Sequence, residues 1–410
     1  MKTNINKIVA YSTLGTLFEW YDLMIYTVAA SVIFGKLFFP PTDPAAAQIA
    51  SLVTIGLSFL AKPIGAIFFG HIGDKYGRRT TLIWSMVLMA IATVSIGFLP
   101  TYAEIGIVAT WLLVLFRLLQ GIAFGGEWTG ASLMIYENAP ENRKSFYGSF
   151  IQIGLPIATL MAAGMFALLD FLSKEEFLDW GWRIPFLFSF LLGFFSFYAR
   201  LNLSETVEFQ ALQSKKQTVK LPIAELFKEP MQIVKGVGLK LTEITWGPLL
   251  VIVTVAYMVG ERHIPRETML HAVWIGSVFH ALAIPFFGWL GDNIGNKRLF
   301  KWGALTTIVV AYPVFYIIDS GHYILGLTLG WILGNAFLQS TLPSIVPQLF
   351  KPNVRYTGSS LSMQIGAAIG LTTVPVLGGW MAKTYGLPSV SILLIVAALL
   401  TYSAVHNINE

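Results

Sequence analysis

Arg117–Glu137 reads RLLQGIAFGGEWTGASLMIYE and lies in an apolar run that opens near Ile105 and closes at Asn138. A run of that length crosses a bilayer as a helix. An arginine in its middle costs about 2.5–3.5 kcal/mol on insertion scales, so it must face protein or trapped water with an acid nearby. Glu127 follows ten positions later, and Gly121, Gly125, Gly126 and Gly130 share the helix. Small residues at close helical spacing let a second helix approach. A buried cation, a buried acid and a close-packing seam on one membrane helix mark a pathway for something polar.

Working outward, the 410 residues are 55% apolar and only 12% charged, with mean hydropathy +0.67, which excludes a soluble globular chain. Twelve apolar segments of spanning length follow: 8–35, 46–70, 80–99, 105–137, 145–170, 182–202, 233–259, 268–290, 299–318, 322–349, 356–381 and 387–406. The expected fold is therefore all-α, twelve transmembrane helices. Of the 27 Lys and Arg, Lys62, Arg117 and Lys240 lie deep inside spans, and the rest lie in loops or within three residues of a span end. Lys36, Lys174, Arg183, Arg262, Arg266 and Lys383 are counted to one side of the membrane, and all the others to the side of the amino end. That excess puts both termini in the cytoplasm of an inner (plasma) membrane protein. The net charge of +5 is then a topology signal, and no nucleic-acid partner is expected.

Chemistry of other kinds finds little footing. Glu19 and Asp22 interrupt the first apolar run and no cleavage site follows, so it is a span and not a signal peptide. Cysteine is absent, which removes disulfides and thiolate metal sites. His263, Glu267 and His271 are spaced by four, but Pro265 breaks a helix there, and no metal is expected. No phosphate-binding Gly-x-x-x-x-Gly-Lys-Ser/Thr occurs. The chain is read as no enzyme, with no cofactor.

Two intramembrane charges matter most. Asp22 lies roughly 23 Å along its helix from Lys7, and Arg117 roughly 30 Å from Glu137, at 1.5 Å per residue. They are expected to face each other across a central cavity, either as a proton-coupling pair or as a structural ion pair. Further along, Gly70-x-x-Gly73-Asp74-x-x-Gly77-Arg78-Arg79 recurs as Gly288-x-x-Gly291-Asp292-x-x-Gly295-Asn296-Lys297. Arg143 with Gln152-Ile-Gly154 is echoed by Arg355 with Gln364-Ile-Gly366. Two echoes at similar offsets describe a tandem of six-span halves. This gives two pseudo-symmetric six-helix bundles, 1–202 and 233–410, joined by a cytoplasmic linker, 203–232. Leu221–Phe227 is expected as a short amphipathic helix on the membrane surface.

These paired loops and the six-plus-six repeat resemble the major facilitator superfamily. Phe18-Glu19-Trp20-Tyr21-Asp22, Lys62-Pro63, Arg117-Leu-Leu-Gln120-Gly121, Gly125-Gly126-Glu127-Trp128 and Trp180-Gly-Trp-Arg183 resemble its metabolite:proton symporter branch, with carriers of α-ketoglutarate, citrate, shikimate, and proline or betaine. The resemblance implies proton-coupled uptake of a small organic acid or zwitterion by alternating access. Asp22 and Arg117, with Glu19 and Glu127, would couple protons. Lys62, Trp20, Tyr21, Gln120, Trp128, Gln152, Trp246, Asn335 and Gln364 are the candidates for lining the cavity. Gly70, Asp74, Gly77, Arg78, Arg79, Glu137, Arg143 and Asp292 would form the conformational switch, with Asp74 capping a helix of the other half and Arg78 pairing with Glu137. Lysine at position 62 replaces the branch's usual arginine and cannot grip an anion bidentately. The partners expected are a small molecule, protons and the lipid bilayer, for a monomer. An exporter of the same fold and a non-transporting membrane sensor are the rival readings.

Overall fold

In a computed structural model, residues 4–40, 43–169, 171–406 and 408 are described. Each expected span is helical: α1 Ile5–Val32, α2 Pro44–Tyr76, α3 Arg78–Gly97, α4 Ile107–Tyr136, α5 Gly154–Leu168, α6 Ile184–Leu201, α7 Pro230–Pro248, α8 Arg266–Ile294 and α9 Asn296–Asp319. The tenth, α10, comes in three consecutive pieces: Tyr323–Leu329, a π-helical Gly330–Ala336, and Phe337–Ile345. It is followed by α11 Arg355–Tyr385 and α12 Ser391–His406. Among the described residues, ten helical stretches are long and apolar enough to cross a membrane, several of them together with the helical turns that adjoin them, as Glu141–Leu168 and Leu387–His406. The two exceptions are the charged α1 and the segmented α10. Helices are the outcome because lipid offers backbone groups no partner, so each span must satisfy its own.

Local signals set the ends. Asp43 accepts from the Ala45 and Ala46 amides at 3.0 Å and Pro44 opens α2, a pairing suited to a helix start. The stretch Gly70–Arg79, expected as a tight loop, is nearly all helix. α2 continues to Tyr76, and the chain reverses at Gly77 alone, with φ +114°. Gly295, φ +96°, makes the equivalent break between α8 and α9. Only the reversal itself needs the left-handed region, so Gly73 stays helical. In α7, Pro248 withholds an amide, and a π-helical turn, Leu249–Val253, follows it.

The chain forms two compact units, Met1–Met134 with Ile153–Lys220, and Ile135–Gln152 with Leu221–Glu410. The first is built on rings: Phe34 packs edge-on against Tyr26, Phe38 and Trp182 and stacks on Phe186. The second is built around Trp246, which stacks on Phe315. Exposed apolar side chains such as Phe190, Phe194, Phe195 and Tyr198 of α6 form the outward stripe of a lipid-facing helix. Leu221 and Phe227 are exposed at either end of a short helix, Pro222–Leu226, whose Leu226 is buried.

Candidate functional site

In the first unit, glycine decides how close α2 and α4 come. A Cβ on Gly121 would lie 2.3 Å from the Ser58 carbonyl oxygen, and one on Gly125 would lie 2.3 Å from that of Lys62. On α2, Gly65 meets the Ile122 carbonyl in the same way, at 2.0 Å. Backbone oxygens cannot swing aside, so Gly125→Val should force the helices apart. Overpacking of this kind costs about 1–3 kcal/mol. Detergent-solubilised protein should melt lower, whereas Gly56→Ala, with nothing within 4 Å, should melt unchanged.

This close contact holds a polar interior. Asp22 is buried, and its two carboxylate oxygens accept from neutral hydroxyls: Thr93 of α3 at 2.6 Å and Ser189 of α6. Thr93 in turn accepts from the Gln120 amide at 2.7 Å, and the Gln120 carbonyl accepts from Arg117 Nη1 at 3.0 Å. Asp22 and Arg117 are thus joined by a chain of donors that all point toward the carboxylate, and not by a direct ion pair. The chain carries polarisation but not a proton, because an amide cannot pass one on readily.

Arg117 is otherwise under-used. Its guanidinium carbon lies 3.9 Å from the Tyr26 ring centre, a cation–π contact. Its Nε and Nη2 are buried without hydrogen-bond partners. The Tyr26 hydroxyl donates to Thr54 at 2.6 Å, since the Thr54 hydrogen is given to the Ser51 carbonyl. Arg117 therefore has spare donors, and most buried polar groups find partners.

Glu19 is also buried, with neither carboxylate oxygen hydrogen-bonded. Lys62 lies 3.2 Å from the Phe124 ring centre and 4.4 Å from that of Phe59, so its charge rests in an aromatic cradle. Trp20 packs edge-on against Phe124. Tyr21 is placed in the core: its hydroxyl donates to the Pro185 carbonyl at 3.2 Å. Trp128 is buried on α4.

Glu127 has a partner the sequence reading missed. Arg200, counted there as a loop residue, is fully buried on α6 and forms a forked pair with Glu127, with Nη1 at 2.7 Å from Oε2. Ser85 donates to the same Oε2 at 3.0 Å, and Arg200 Nη1 also reaches the Leu82 carbonyl at 2.6 Å. Gly15 makes the room: a Cβ there would lie 1.7 Å from Arg200 Nη2. The only trace in the sequence was an arginine set just before the end of an apolar run, Ala199-Arg200-Leu201.

The switch motifs also acquire partners. Arg78 Nη1 lies 3.5 Å from Asp74 and 2.8 Å from the Gly73 carbonyl. Glu205, just past α6, accepts from the Arg78 and Arg79 amides, both at 3.1 Å, and so caps α3. Burial pushes its carboxyl above the ordinary range. Arg79 Nη2 donates to the Leu201 carbonyl at 2.7 Å, a cation at the carboxyl end of α6.

In the second unit, Asp292 accepts from the Ser145 and Phe146 amides, both at 2.8 Å, and caps the short helix Lys144–Ser149. A Cβ on Gly288 would lie 2.8 Å from the Ser145 carbonyl oxygen. The second copy of the motif is thus a platform on which another helix starts. Asp292→Ala should lose about 0.5–2 kcal/mol of cap energy and lower the melting point, and Asp292→Asn should restore most of it. Glu137 lies 3.8 Å from Arg355, Arg143 is exposed, and Gly70 is buried near the end of α2.

Among the remaining cavity candidates, Gln152 donates to the Gln339 carbonyl at 3.1 Å, and Gln364 is buried on α11. Lys240 and Glu243, three apart on α7, meet as an ion pair. Trp246 lies in the core of its unit, its Nε1 donating to Thr307 at 3.2 Å. Asn335 donates to the Glu243 carbonyl at 2.9 Å.

Comparison with known proteins follows the same lines. Residues 8–233 match the family described as Sugar (and other) transporter, and residues 237–405 match that described as Major Facilitator Superfamily. The inner membrane metabolite transport protein YhjE of Escherichia coli is 35% identical, over 98% of this chain and 95% of its own. The shikimate transporter of Escherichia coli is 33% identical, over 87% and 83%. The proline/betaine transporter of Salmonella typhimurium is 33% identical, over 93% and 78%. In fold, the proton:xylose symporter XylE superposes with TM-score 0.77 at 16% identity, covering 97% of this chain and 95% of its own. FucP superposes with TM-score 0.71 at 14% identity, covering 98% and 99%. With twelve helical spans, a repeated loop motif and relatives of this kind along nearly its whole length, the chain belongs to the major facilitator superfamily and is a membrane transporter and not an enzyme.

Proposed function

We propose that the protein is a proton-coupled symporter that imports a small organic acid or zwitterion by alternating access. The observation that carries this reading is the line of donors from Arg117 through Gln120 and Thr93 to Asp22. An ionised Asp22 holds that line in place. Once Asp22 is protonated, one of its oxygens becomes a donor, the hydroxyl facing that oxygen must turn to accept, and Arg117 loses the charge it was aimed at. Its unused Nε and Nη2 then offer a fork to a substrate carboxylate. Lys62 adds positive potential, and Glu19 is a second acid that can share the proton. Glu127 is committed to Arg200, which makes it a support for the site. The halves 1–202 and 233–410 would rock about the linker 203–232, with the Asp74 and Asp292 motifs releasing and recapturing their helices, in a monomer with both termini cytoplasmic.

The test is uptake by purified protein in proteoliposomes, with radiolabelled small acids and betaines outside. Acidifying the outside by one unit should drive accumulation, and collapsing the gradient with a protonophore should reverse it. Accumulation indifferent to the proton gradient would overturn the coupling. Transport only out of right-side-out vesicles would reverse the direction.

A further inference from the structure

Two charged side chains of the first unit are buried with hydrogen-bonding atoms to spare, and they are opposite in sign. Glu19 of α1 is 1% exposed, and neither of its carboxylate oxygens has a hydrogen-bond partner. Arg117 of α4 is also 1% exposed, with Nε and Nη2 bare. The charges around them are engaged. Glu127 is held by Arg200, Asp22 by Thr93 and Ser189, and Lys62 rests on the rings of Phe124 and Phe59. Buried polar groups are seldom left without a partner. A carboxylate that only accepts and a guanidinium that only donates ask together for a ligand with donors at one end and acceptors at the other.

Helical spacing places the two groups. Glu19, Asp22 and Tyr26 fall at i, i+3 and i+7 of α1, and Arg117, Gln120 and Phe124 fall likewise on α4. Tyr26 meets Arg117 at one level, and Trp20, next to Glu19 in the chain, meets Phe124 at the other. Two turns separate the levels, about 10 Å at 1.5 Å per residue. Charge-assisted hydrogen bonds of about 2.8 Å at each end leave about 4–5 Å between the charged groups of the ligand. A small amino acid has that span. Asp22 lies between the levels, where its protonation releases Arg117 in the scheme above.

The cationic end must carry hydrogens. Two empty carboxylate oxygens are satisfied by N–H donors, which a primary or secondary ammonium supplies and a quaternary one lacks. A trimethylammonium group binds on aromatic faces instead, and here those of Phe124 and Phe59 are taken by Lys62.

We propose that Glu19 binds the ammonium group of the substrate, and that the transported molecule is an amino acid with a primary or secondary ammonium, its carboxylate on Arg117 Nε and Nη2. The inference rests on the transport reading above and narrows it, setting simple organic acids and quaternary betaines aside. A site made to bond N–H groups rejects the analogue lacking them.

Calorimetry on the purified, detergent-solubilised protein tests it with matched triplets: acetate, glycine and glycine betaine; butyrate, γ-aminobutyrate and its trimethylammonium derivative; cyclopentanecarboxylate, proline and N,N-dimethylproline. In at least one triplet the N–H compound should bind tenfold or more tightly than both analogues. Glu19→Gln should shrink that ratio several-fold by weakening the amino acid alone, and Glu19→Asp, which keeps the acceptor, should retain more of it. The wild-type ratios stand even if a variant fails to fold. Acids without nitrogen binding as tightly as the amino acids would overturn the ammonium site and leave the organic-acid reading intact. Quaternary compounds binding as tightly would overturn the need for N–H groups and move the cation to the aromatic faces. An amino preference unchanged in folded Glu19→Gln would take the ammonium away from Glu19. Binding of nothing in the panel would overturn the site and the substrate reading together.

Discussion

Asp22→Asn should end accumulation driven by a pH gradient while leaving exchange of substrate across the membrane intact. One coupled proton and one unit of pH gradient supply about 1.4 kcal/mol, enough to hold substrate at roughly tenfold excess inside. The asparagine cannot titrate, so the inside-to-outside ratio should fall to unity under the same gradient. The substitution preserves shape, and a carboxamide can still engage both Thr93 and Ser189, which donate to the carboxylate in the native chain. Folding should therefore survive, and counterflow of labelled against unlabelled substrate should persist. Gradient-driven accumulation at the native level in the asparagine variant would remove Asp22 from the coupling. Loss of both accumulation and counterflow, in well-folded protein, would make it a binding residue instead.

The second large effect concerns Glu127 and Arg200. Either Glu127→Leu or Arg200→Leu alone leaves one charge sealed in the interior of the first unit, and breaking a buried pair in this way costs about 3–5 kcal/mol. The double substitution leaves no stranded charge and should recover most of that loss, since an apolar pair of similar volume is often as stable. Thermal unfolding of the four proteins, arranged as a double-mutant cycle, measures it. If the pair is a support, the double variant should also transport. Stability recovered without transport would give the pair a part in the cycle itself. Equal losses in all three variants would mean that neither residue compensates the other, contrary to the forked geometry.

How much of this was legible beforehand differs from residue to residue. The helical spans were readable because apolarity over some twenty residues is a local property, and lipid leaves the backbone no alternative to the helix. The Gly-x-x-Gly-Asp repeat was readable as a repeat, because a fixed spacing of glycine and aspartate is a local pattern, but that Gly77 and Gly295 are the left-handed breaks and Gly73 is not came from the structure. The length of the loop was misread: helix persists to Tyr76, and nothing in Gly70–Lys75 forbids it. Tyr21 and Trp246, expected at a cavity, fill cores instead, since an aromatic residue in an apolar run looks alike in both places.

The sequence by itself determined that this chain crosses a membrane in two related halves, and which charges are held inside its spans. Only the tertiary structure decided which of those groups meet. Asp22 and Ser189 are 167 positions apart, Glu127 and Arg200 are 73 apart, and His280 reaches Trp331 from another helix. Helical periodicity fixes the face a side chain lies on, but the face that answers it is chosen by how helices pack, and that choice is written across the whole chain.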